Sequence, residues 1–222
     1  DELLELLKTA GALRIVAARP TIEGILLEPE AAARSDVELI VEAIGALGRI
    51  QEKGVSQEPV ELIMKWFRAS REPSDKGQKD IRKACVAALN IRIEDRDLRR
   101  EVRSFQEEIL ANVEDKAGHV PAILGLGTLA KAGDPEALVS LGKVLERRSE
   151  YGSTEAVAAI DSIAYLGGRE AIQGILAYID AKDVPFAEHV WHKLVNLHKG
   201  QSPDLLEWSL GRILDRAFKE DK

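Results

Sequence analysis

Cysteine, aromatic side chains and long apolar runs are scarce in this sequence, and each scarcity excludes something. The 222 residues contain one cysteine, Cys85, so no disulfide can form within the chain. This slightly favours the cytoplasm, although a single thiol does not exclude an oxidising compartment. No cysteine pair, glycine-rich phosphate loop or nucleophile-elbow pattern occurs, so thiolate zinc sites, phosphate-loop chemistry and serine nucleophiles have no support.

Membrane insertion and generic nucleic-acid binding are not expected. No apolar run approaches the roughly 20 residues of a membrane-spanning helix, and no basic-then-apolar signal segment opens the chain. The formal net charge of −7 opposes the phosphate contacts that supply most sequence-independent affinity for nucleic acid. Because the chain starts at Asp1 without an initiator Met, we expect a domain of a larger protein or a processed product.

Helix-forming residues dominate what is present. The regular alternation of apolar and polar residues that marks a strand is almost missing. The β-branched residues are scattered among helix-forming residues, namely Ala, Leu, Glu, Lys and Arg, so an all-α fold is predicted. Capping residues, glycines and prolines divide the chain into short helices. One helix, for example, is predicted to begin at a cap formed by Ser153-Thr154-Glu155 and to end at Gly167-Gly168. Helices are predicted over residues 35–53, 56–67, 80–90, 96–113, 121–132, 135–148, 153–167, 169–181, 185–199 and 203–218.

These helices form about five pairs with a repeating pattern. The first helices of the pairs end in similar triplets, at a spacing of roughly 30 to 42 residues that is typical of helical solenoid repeats. The triplets are Ala46-Leu47-Gly48, Ala88-Leu89-Asn90, Thr128-Leu129-Ala130, Tyr165-Leu166-Gly167 and Asn196-Leu197-His198. The fixed Trp/Gly/Tyr/Pro pattern of tetratricopeptide repeats does not occur, which disfavours that family.

The turn between two of the helices carries a family resemblance. The run Leu129-Ala-Lys-Ala-Gly-Asp-Pro-Glu-Ala-Leu138 resembles the helix-turn-helix of HEAT repeats of the lyase type, and Leu166-Gly-Gly-Arg-Glu-Ala-Ile172 is similar, with Arg169 in place of the Asp. The match is best over residues 119–184, extends over 35–220 and is absent from 1–34. The resemblance implies a right-handed α-α superhelix over residues 35–222, with residues 1–34 as an N-terminal helical cap.

Histidines are the first candidates for metal chemistry. His189 and His192, with Glu188, fall on the polar face of their helix, but no third ligand position is specified, so a solvated face is the better interpretation. Di-iron hydroxylases with a HEAT-like fold carry repeated His-Glu dipeptides, whereas this chain has only the reversed Glu188-His189. Neither a metal nor another cofactor is predicted. Cys85 falls on an apolar stripe and is expected in the core. His198 falls on the apolar side of its helix and is expected to be a packed or helix-capping histidine.

Arginines are the candidates for a nucleic-acid site. Arg96, Arg99, Arg100 and Arg103 share one flank of a helix, as in HEAT-like DNA glycosylases, but acidic residues occupy the other flank. Salt bridges between neighbouring repeats, or a solvated face, are the preferred interpretation.

The three tryptophans differ in their predicted environment. Trp66 and Trp191 fall on or beside apolar stripes and are predicted to be core residues. Trp208 is predicted to point outward beside Leu205 and Arg212, with Leu206 and Leu210 facing inward. An exposed Trp beside Arg has the composition of a binding hot spot. The preferred alternative is that Trp208 packs on a further repeat or on a neighbouring molecule.

The predicted function is therefore protein binding, without catalytic residues. The second helices of the pairs are expected to line a concave surface. Its predicted contact residues are Lys65, Arg68, Arg99, Arg103, Lys143, Arg147, Gln173, Trp208 and Arg212. Because most are basic, an acidic peptide or protein surface is the expected partner, and reversing Arg103 and Arg147 to Glu should weaken its capture while leaving the fold intact. The alternative is a HEAT-like enzyme, either DNA-directed or dependent on a His/carboxylate metal site.

Two predictions concern stability. Leu166 is expected to lie wedged between both helices of its pair, where truncation to Ala would cost about 2 to 4 kcal/mol. Residues 129–179 are expected to be the most stable region, and 1–34 the first to open.

Overall fold

The fold described here is that of a computed structural model. It covers residues 2–27, 36–51, 55–70, 75–112, 116–178, 184–198 and 203–219, and every regular element in these ranges is helical. The helices are α1 (Glu2–Ala12), α2 (Arg19–Leu26), α3 (Val37–Gln51), α4 (Gln57–Ala69), α5 (Lys76–Ala88), α6 (Arg96–Ala111), α7 (His119–Lys131), α8 (Pro135–Glu146), α9 (Arg148–Tyr151), α10 (Ser153–Leu166), α11 (Gly168–Tyr178), α12 (Val184–His198) and α13 (Pro203–Lys219). The prediction of an all-α protein is confirmed.

Aspartates start several of these helices by accepting a hydrogen bond from a backbone N–H of the first turn. Asp95 accepts from Leu98 at 2.8 Å, and Asp134 accepts from Glu136 at 3.1 Å. Asp75 does the same for α5, which therefore begins at residue 76 rather than at the predicted residue 80.

The predicted cap at Ser153 was wrong. The residue that precedes α10 is Gly152, whose φ of 110° suits glycine and whose missing side chain provides no cap. Ser153 is instead the first residue inside the helix. Gly167, with a φ of 74°, ends α10 as predicted.

The helices form two layers. Layer A contains α1, α3, α5, α7, α10 and α12, each in contact with the next. Layer B contains α2, α4, α6, α8, α11 and α13. The first four of these and α11 pack more on layer A helices than on one another, whereas α13 packs against α11. The short α9 joins α8 to α10. The core lies between the layers.

The repeated leucines of the triplets lie in this core with two exceptions. Leu47, Leu89 and Leu129 are fully buried. Leu197 packs partly against the core, and Leu166 is only half-buried at the end of α10. Leu166 is therefore less enclosed than predicted for a residue wedged between two helices.

The N-terminal segment continues the two-layer order. Helix α1 packs along α3, and α2 contacts both α3 and α4, so the segment covers the first predicted pair. Leu7 and Ala10 are buried, whereas Leu3, Leu6 and Leu13 are exposed. The boundary at residue 34 lies outside the described residues and stays a prediction.

Small residues let neighbouring helices of layer A come close together. A Cβ added to Gly48 of α3 would lie 2.8 Å from the Cα of Ala88 in α5. A Cβ added to Gly127 of α7 would lie 2.8 Å from the Cβ of Ser162 in α10. Both distances are too short for a side chain, so glycine is required at these crossings.

Candidate functional site

The predicted contact residues belong to layer B and differ in their availability. Lys65, Arg68, Lys143 and Gln173 are exposed. The side chain of Arg212 lies outside the described part of the structure. Arg99, Arg103, Arg147 and Trp208 need separate treatment because each contacts another side chain or a carbonyl group of the chain.

Arg99 and Arg103 tie α6 to the turn between α7 and α8. Arg99 donates a hydrogen bond to the carbonyl oxygen of Ala132 at 2.5 Å. Arg103 lies 3.3 Å from a carboxylate oxygen of Asp134 and 3.6 Å from one of Glu107, and its side chain is mostly buried. One salt bridge between neighbouring helix pairs, that of Arg103 with Asp134, is therefore present, whereas Arg100 pairs with Asp97 of its own helix. Reversing Arg103 to Glu would place two carboxylates against the new one, so these contacts lead us to expect that this reversal destabilises the fold.

Arg147 also has a partner. It follows the end of α8, and its guanidinium pairs with Glu150 at 2.5 Å and lies over the ring of Tyr151. The guanidinium lowers the pKa of the Glu150 carboxyl, mainly through this hydrogen bond. Both side chains are exposed, so the ion pair adds little stability. It does, however, place a carboxylate next to the positive charge of Arg147.

The tryptophan environments were predicted correctly in one case of three. Trp66 is buried and donates from Nε1 to the carbonyl oxygen of Leu26 at 2.8 Å. Trp191 was predicted in the core but is 46% exposed. Trp208 was predicted to point outward but is half-buried against the core, with the guanidinium of Arg169 5.2 Å from its ring centre.

The orientation of α13 explains the error at Trp208. Leu205, which was predicted to point outward, is buried, and Leu210, which was predicted to face inward, is exposed. The helix is therefore rotated relative to the predicted stripe. Ser209 is buried and bonds to the carbonyl oxygen of Leu206, so a polar residue occupies a core position.

The histidine pair does not project into solvent as one unit. His192 is exposed, but Nε2 of His189 lies 2.8 Å from a carboxylate oxygen of Asp161 in α10. The Nζ of Lys193 lies 2.9 Å from the same oxygen. Asp161 thus joins α10 to α12. The spacing of residues along the sequence could not reveal this contact, because Asp161 is 28 residues from His189. The side chains of Glu188 and His198 lie outside the described part of the structure.

An exposed aromatic residue lies on α10 beside this cluster. Tyr165 is 58% exposed, and Lys131 at the end of α7 places its Nζ 3.7 Å from the centre of the tyrosine ring. The same Nζ donates to the carbonyl oxygen of Tyr165 at 3.1 Å. Leu124 is exposed two turns earlier on α7. We call the set of Leu124, Thr128, Lys131, Asp161, Tyr165, His189, His192 and Lys193 the layer A face.

A buried polar cluster holds the start of α7. His119 is fully buried, with Nε2 2.9 Å from the carbonyl oxygen of Asn112 and Nδ1 3.7 Å from Glu155. Its ring packs edge-on against Tyr151, whose hydroxyl donates to the carbonyl oxygen of Leu110. These contacts join the end of α6 and the start of α7 to α9 and α10. The cluster is a packing element.

Metal binding finds no support in the described ranges. They contain no group of three or more His, Cys, Asp or Glu side chains placed to hold a metal ion. Cys85 is fully buried, as predicted, and this burial raises the pKa of its thiol far above the ordinary value. Among the described helices, none is both long and apolar enough to cross a membrane.

The fold defines an all-helical protein of two layers of paired helices. No family model, curated protein or solved structure matches the chain significantly.

Proposed function

We propose that this chain is a protein-interaction module: a HEAT-like, right-handed superhelix of helix pairs that binds its partner through the layer A face. The observation that carries the proposal is the chain of contacts across three neighbouring helices, from Lys131 to Tyr165 and from Asp161 to His189 and Lys193. These contacts hold exposed aromatic and charged side chains in one continuous surface.

Helix spacing supports layer A as the concave side. In a curved two-layer array, the layer with the closer helices lies on the inside of the curve. Gly48 and Gly127 bring layer A helices into backbone contact, whereas the layer B helices touch one another less. The proposal therefore places the first helices of the pairs, in layer A, on the concave side, where the sequence analysis had placed the second helices.

The composition of the layer A face suits recognition of an acidic protein segment. Tyr165 offers a large rigid surface, of the kind enriched at binding hot spots. Lys131 has no carboxylate within ion-pair distance among the described residues and lies against that ring. In a partner segment with an acidic residue next to an apolar one, the acidic residue would pair with Lys131 and the apolar one would pack on Tyr165. The basic row predicted on layer B is a weaker candidate, because Arg99, Arg103 and Arg147 have internal partners.

Affinity capture followed by mass spectrometry tests the proposal with two matched pairs of variants. Lys131→Glu changes the layer A face, and Lys65→Glu makes the same reversal on layer B. Tyr165→Glu and Val139→Glu introduce a charge at exposed apolar positions of layer A and layer B, respectively. We expect the captured partner to be lost by at least about tenfold in both layer A variants, because a new carboxylate repels an acidic segment. Loss in the layer B variants alone would reject the layer A face.

The alternative is a DNA-directed enzyme, and one observation favours it over other enzymes. Arg96, Arg99, Arg100 and Arg103 line a pocket of about 220 Å³ with the start of α8. Asp134 and Glu136 line the same pocket, however, and would oppose a phosphate. A salt-dependent titration with duplex DNA, together with elemental analysis for bound metal, tests this alternative. Binding with a steep salt dependence would favour it over a protein-binding role.

A further inference from the structure

The middle of layer A carries a groove between α7 and α10. Gly127 marks the side of α7 that faces α10, because an added Cβ would lie 2.8 Å from the Cβ of Ser162. Leu124 lies three positions before Gly127 and Lys131 four positions after it, so both lie within about 60° of that side. Leu124 is 45% exposed, and Lys131 is exposed as well. Since α7 and α10 each have a further layer A neighbour, the groove is not an edge of the array.

Tyr165 of α10 lines the opposite wall of this groove. It lies three positions after Ser162, within about 60° of the side that faces α7, and it is 58% exposed. On α7 the half-buried Val120 lies seven positions before Gly127, again on the side of α10. Apolar side chains thus line the groove towards the start of α7, and Lys131 and Tyr165 line its other end.

The basic end of the groove coincides with the ends of both helices. Helix α7 ends at Lys131, and α10 ends one residue after Tyr165. The Nζ of Lys131 binds the carbonyl oxygen of Tyr165 and has no carboxylate within ion-pair distance in the described part of the chain. An acidic residue that pairs with this Nζ would stabilise its own helix from the first turn and destabilise it from the last turn. The acidic end of a helix bound here is therefore its N-terminal end.

The groove has the length and the repeat of a short helix. Leu124 and Lys131 lie seven residues apart, which is about 10 Å along α7, and Val120 extends the row to about 16 Å. A helix laid along the groove has the same rise per residue as α7. Its residues at one position, three or four positions later and seven positions later would therefore meet Lys131, Tyr165 and Leu124 in turn.

We propose that the partner occupies the layer A face with an amphipathic helix, which lies antiparallel to α7 and α10 in the groove between them. The first turn of this helix carries an acidic residue that pairs with Lys131. Apolar residues later in the helix pack on Tyr165 and on Leu124. The assignment rests on the proposed function, since it names the occupant of the same surface.

Fluorescence anisotropy with three labelled peptides of about 16 residues, or about 24 Å of helix, tests the proposal on the full chain. The first peptide is an Ala- and Gln-based helix with Leu at every third or fourth position and two Glu in its first turn. The second has Lys in place of the two Glu, and the third is the first with a central Pro, which breaks the helix. We expect the first peptide to bind the unaltered chain, and Leu124→Glu and Lys131→Glu each to weaken this binding by at least about tenfold.

The other two peptides test the charge pair and the helical conformation. The second peptide should bind Lys131→Glu more tightly than it binds the unaltered chain, because the charges of the pair are exchanged. The third peptide should bind neither chain. A benzophenone group at the acidic end of the first peptide should cross-link near Lys131 rather than near Val120, as mapped by mass spectrometry.

Lys65→Glu and Val139→Glu on layer B are the controls and should bind the first peptide as the unaltered chain does, and circular dichroism checks that all variants remain folded. Failure of the first peptide to bind, full binding by Leu124→Glu, or a cross-link near Val120 overturns the proposal. Binding that survives the central Pro overturns it in favour of an extended segment. If the captured partner is still lost in Lys131→Glu, such a result rejects the helical occupant alone, whereas capture unchanged in that variant rejects the layer A face itself.

Discussion

Burial controls the chemistry of individual side chains in this molecule. Cys85 lies in α5 with no exposed surface, and desolvation raises the pKa of its thiol even though Arg82 nearby acts to lower it. Tyr151 follows the same rule, since burial raises the pKa of its phenol while Arg147 opposes the shift. A thiol that stays protonated is a poor nucleophile, so Cys85 is a core residue in its reactivity as well as its packing.

We expect Cys85 to resist alkylation by iodoacetamide in the native protein and to react fully in urea, as monitored by mass spectrometry. The pKa of the thiol is raised in the folded state, so above about pH 8.5 the unfolded state loses its proton first. The free energy of unfolding should therefore fall as pH rises from about 7.5 to about 9.5. Cys85→Ala should show a smaller decrease than the unaltered chain over the same range, and an equal decrease would contradict the assignment.

Leucines in corresponding triplets should differ in their contribution to stability. Leu129→Ala should lower the free energy of unfolding by about 2 to 4 kcal/mol, because its side chain is fully buried and truncation leaves a cavity. Leu166→Ala should cost only about 1 kcal/mol, because this side chain is half-buried. Urea denaturation of both variants measures the difference, and equal losses would place Leu166 in the core after all.

Helix packing in layer A depends on the small size of certain residues rather than on large apolar ones. Gly127 leaves room for Ser162 of α10, whose hydroxyl donates to the carbonyl oxygen of Ile123. Gly48 does the same for Ala88 of α5. Such crossings tolerate no added methyl group without a shift of one helix.

Two glycine substitutions should have opposite effects on thermal stability. Gly127→Ala should destabilise the protein by about 1 to 3 kcal/mol, because the new Cβ would overlap Ser162. Gly24→Ala in α2 meets no atom within 4 Å and should stabilise it by about 0.5 to 1 kcal/mol through helix propensity. Thermal melts followed by circular dichroism measure the direction of the change in stability for each variant. A stable Gly127→Ala variant would mean that α7 and α10 can move apart freely.

The helix start at Asp134 and the stop at Gly167 were predictable, whereas the starts of α5 and α10 and the rotation of α13 were not. Asp134 and Gly167 act within a few residues of their position, so their spacing reveals their effect. Rotation is set by neighbours distant in sequence. In α13 the adjacent Leu205 and Leu206 begin two competing stripes, and the polar Ser209 concealed the one that is buried.

Across the whole molecule, the central helices should be the most protected. α7 and α10 have layer A neighbours on both sides, whereas α1 has α3 alone. Hydrogen exchange should therefore be slowest in α7 and α10 and fastest in α1 and α2, because local opening costs more where more contacts break. Mass spectrometry of peptic fragments measures this order. Faster exchange in α7 than in α1 would contradict it.

The layer A face was not predictable for a related reason. Its members come from three helices, and the pairs Lys131 with Tyr165 and Asp161 with His189 are 34 and 28 residues apart. Sequence patterns indicate which residues share one helix but not which helices meet. The basic row on layer B could be listed from the sequence, and salt bridges of its arginines could be expected, but the identities of the partners of Arg99 and Arg103, Ala132 and Asp134, could not.

The nearest-neighbour order of the layers also has a mechanical consequence. The main contacts join helices that are close in chain order, and none of them ties the first helices to the last. A force applied between the two ends would therefore load the terminal helix pairs first, and each pair could detach without breaking the contacts of distant ones. In an optical-tweezers experiment the chain would lengthen in a series of small unfolding steps at low force, rather than unfold in a single event.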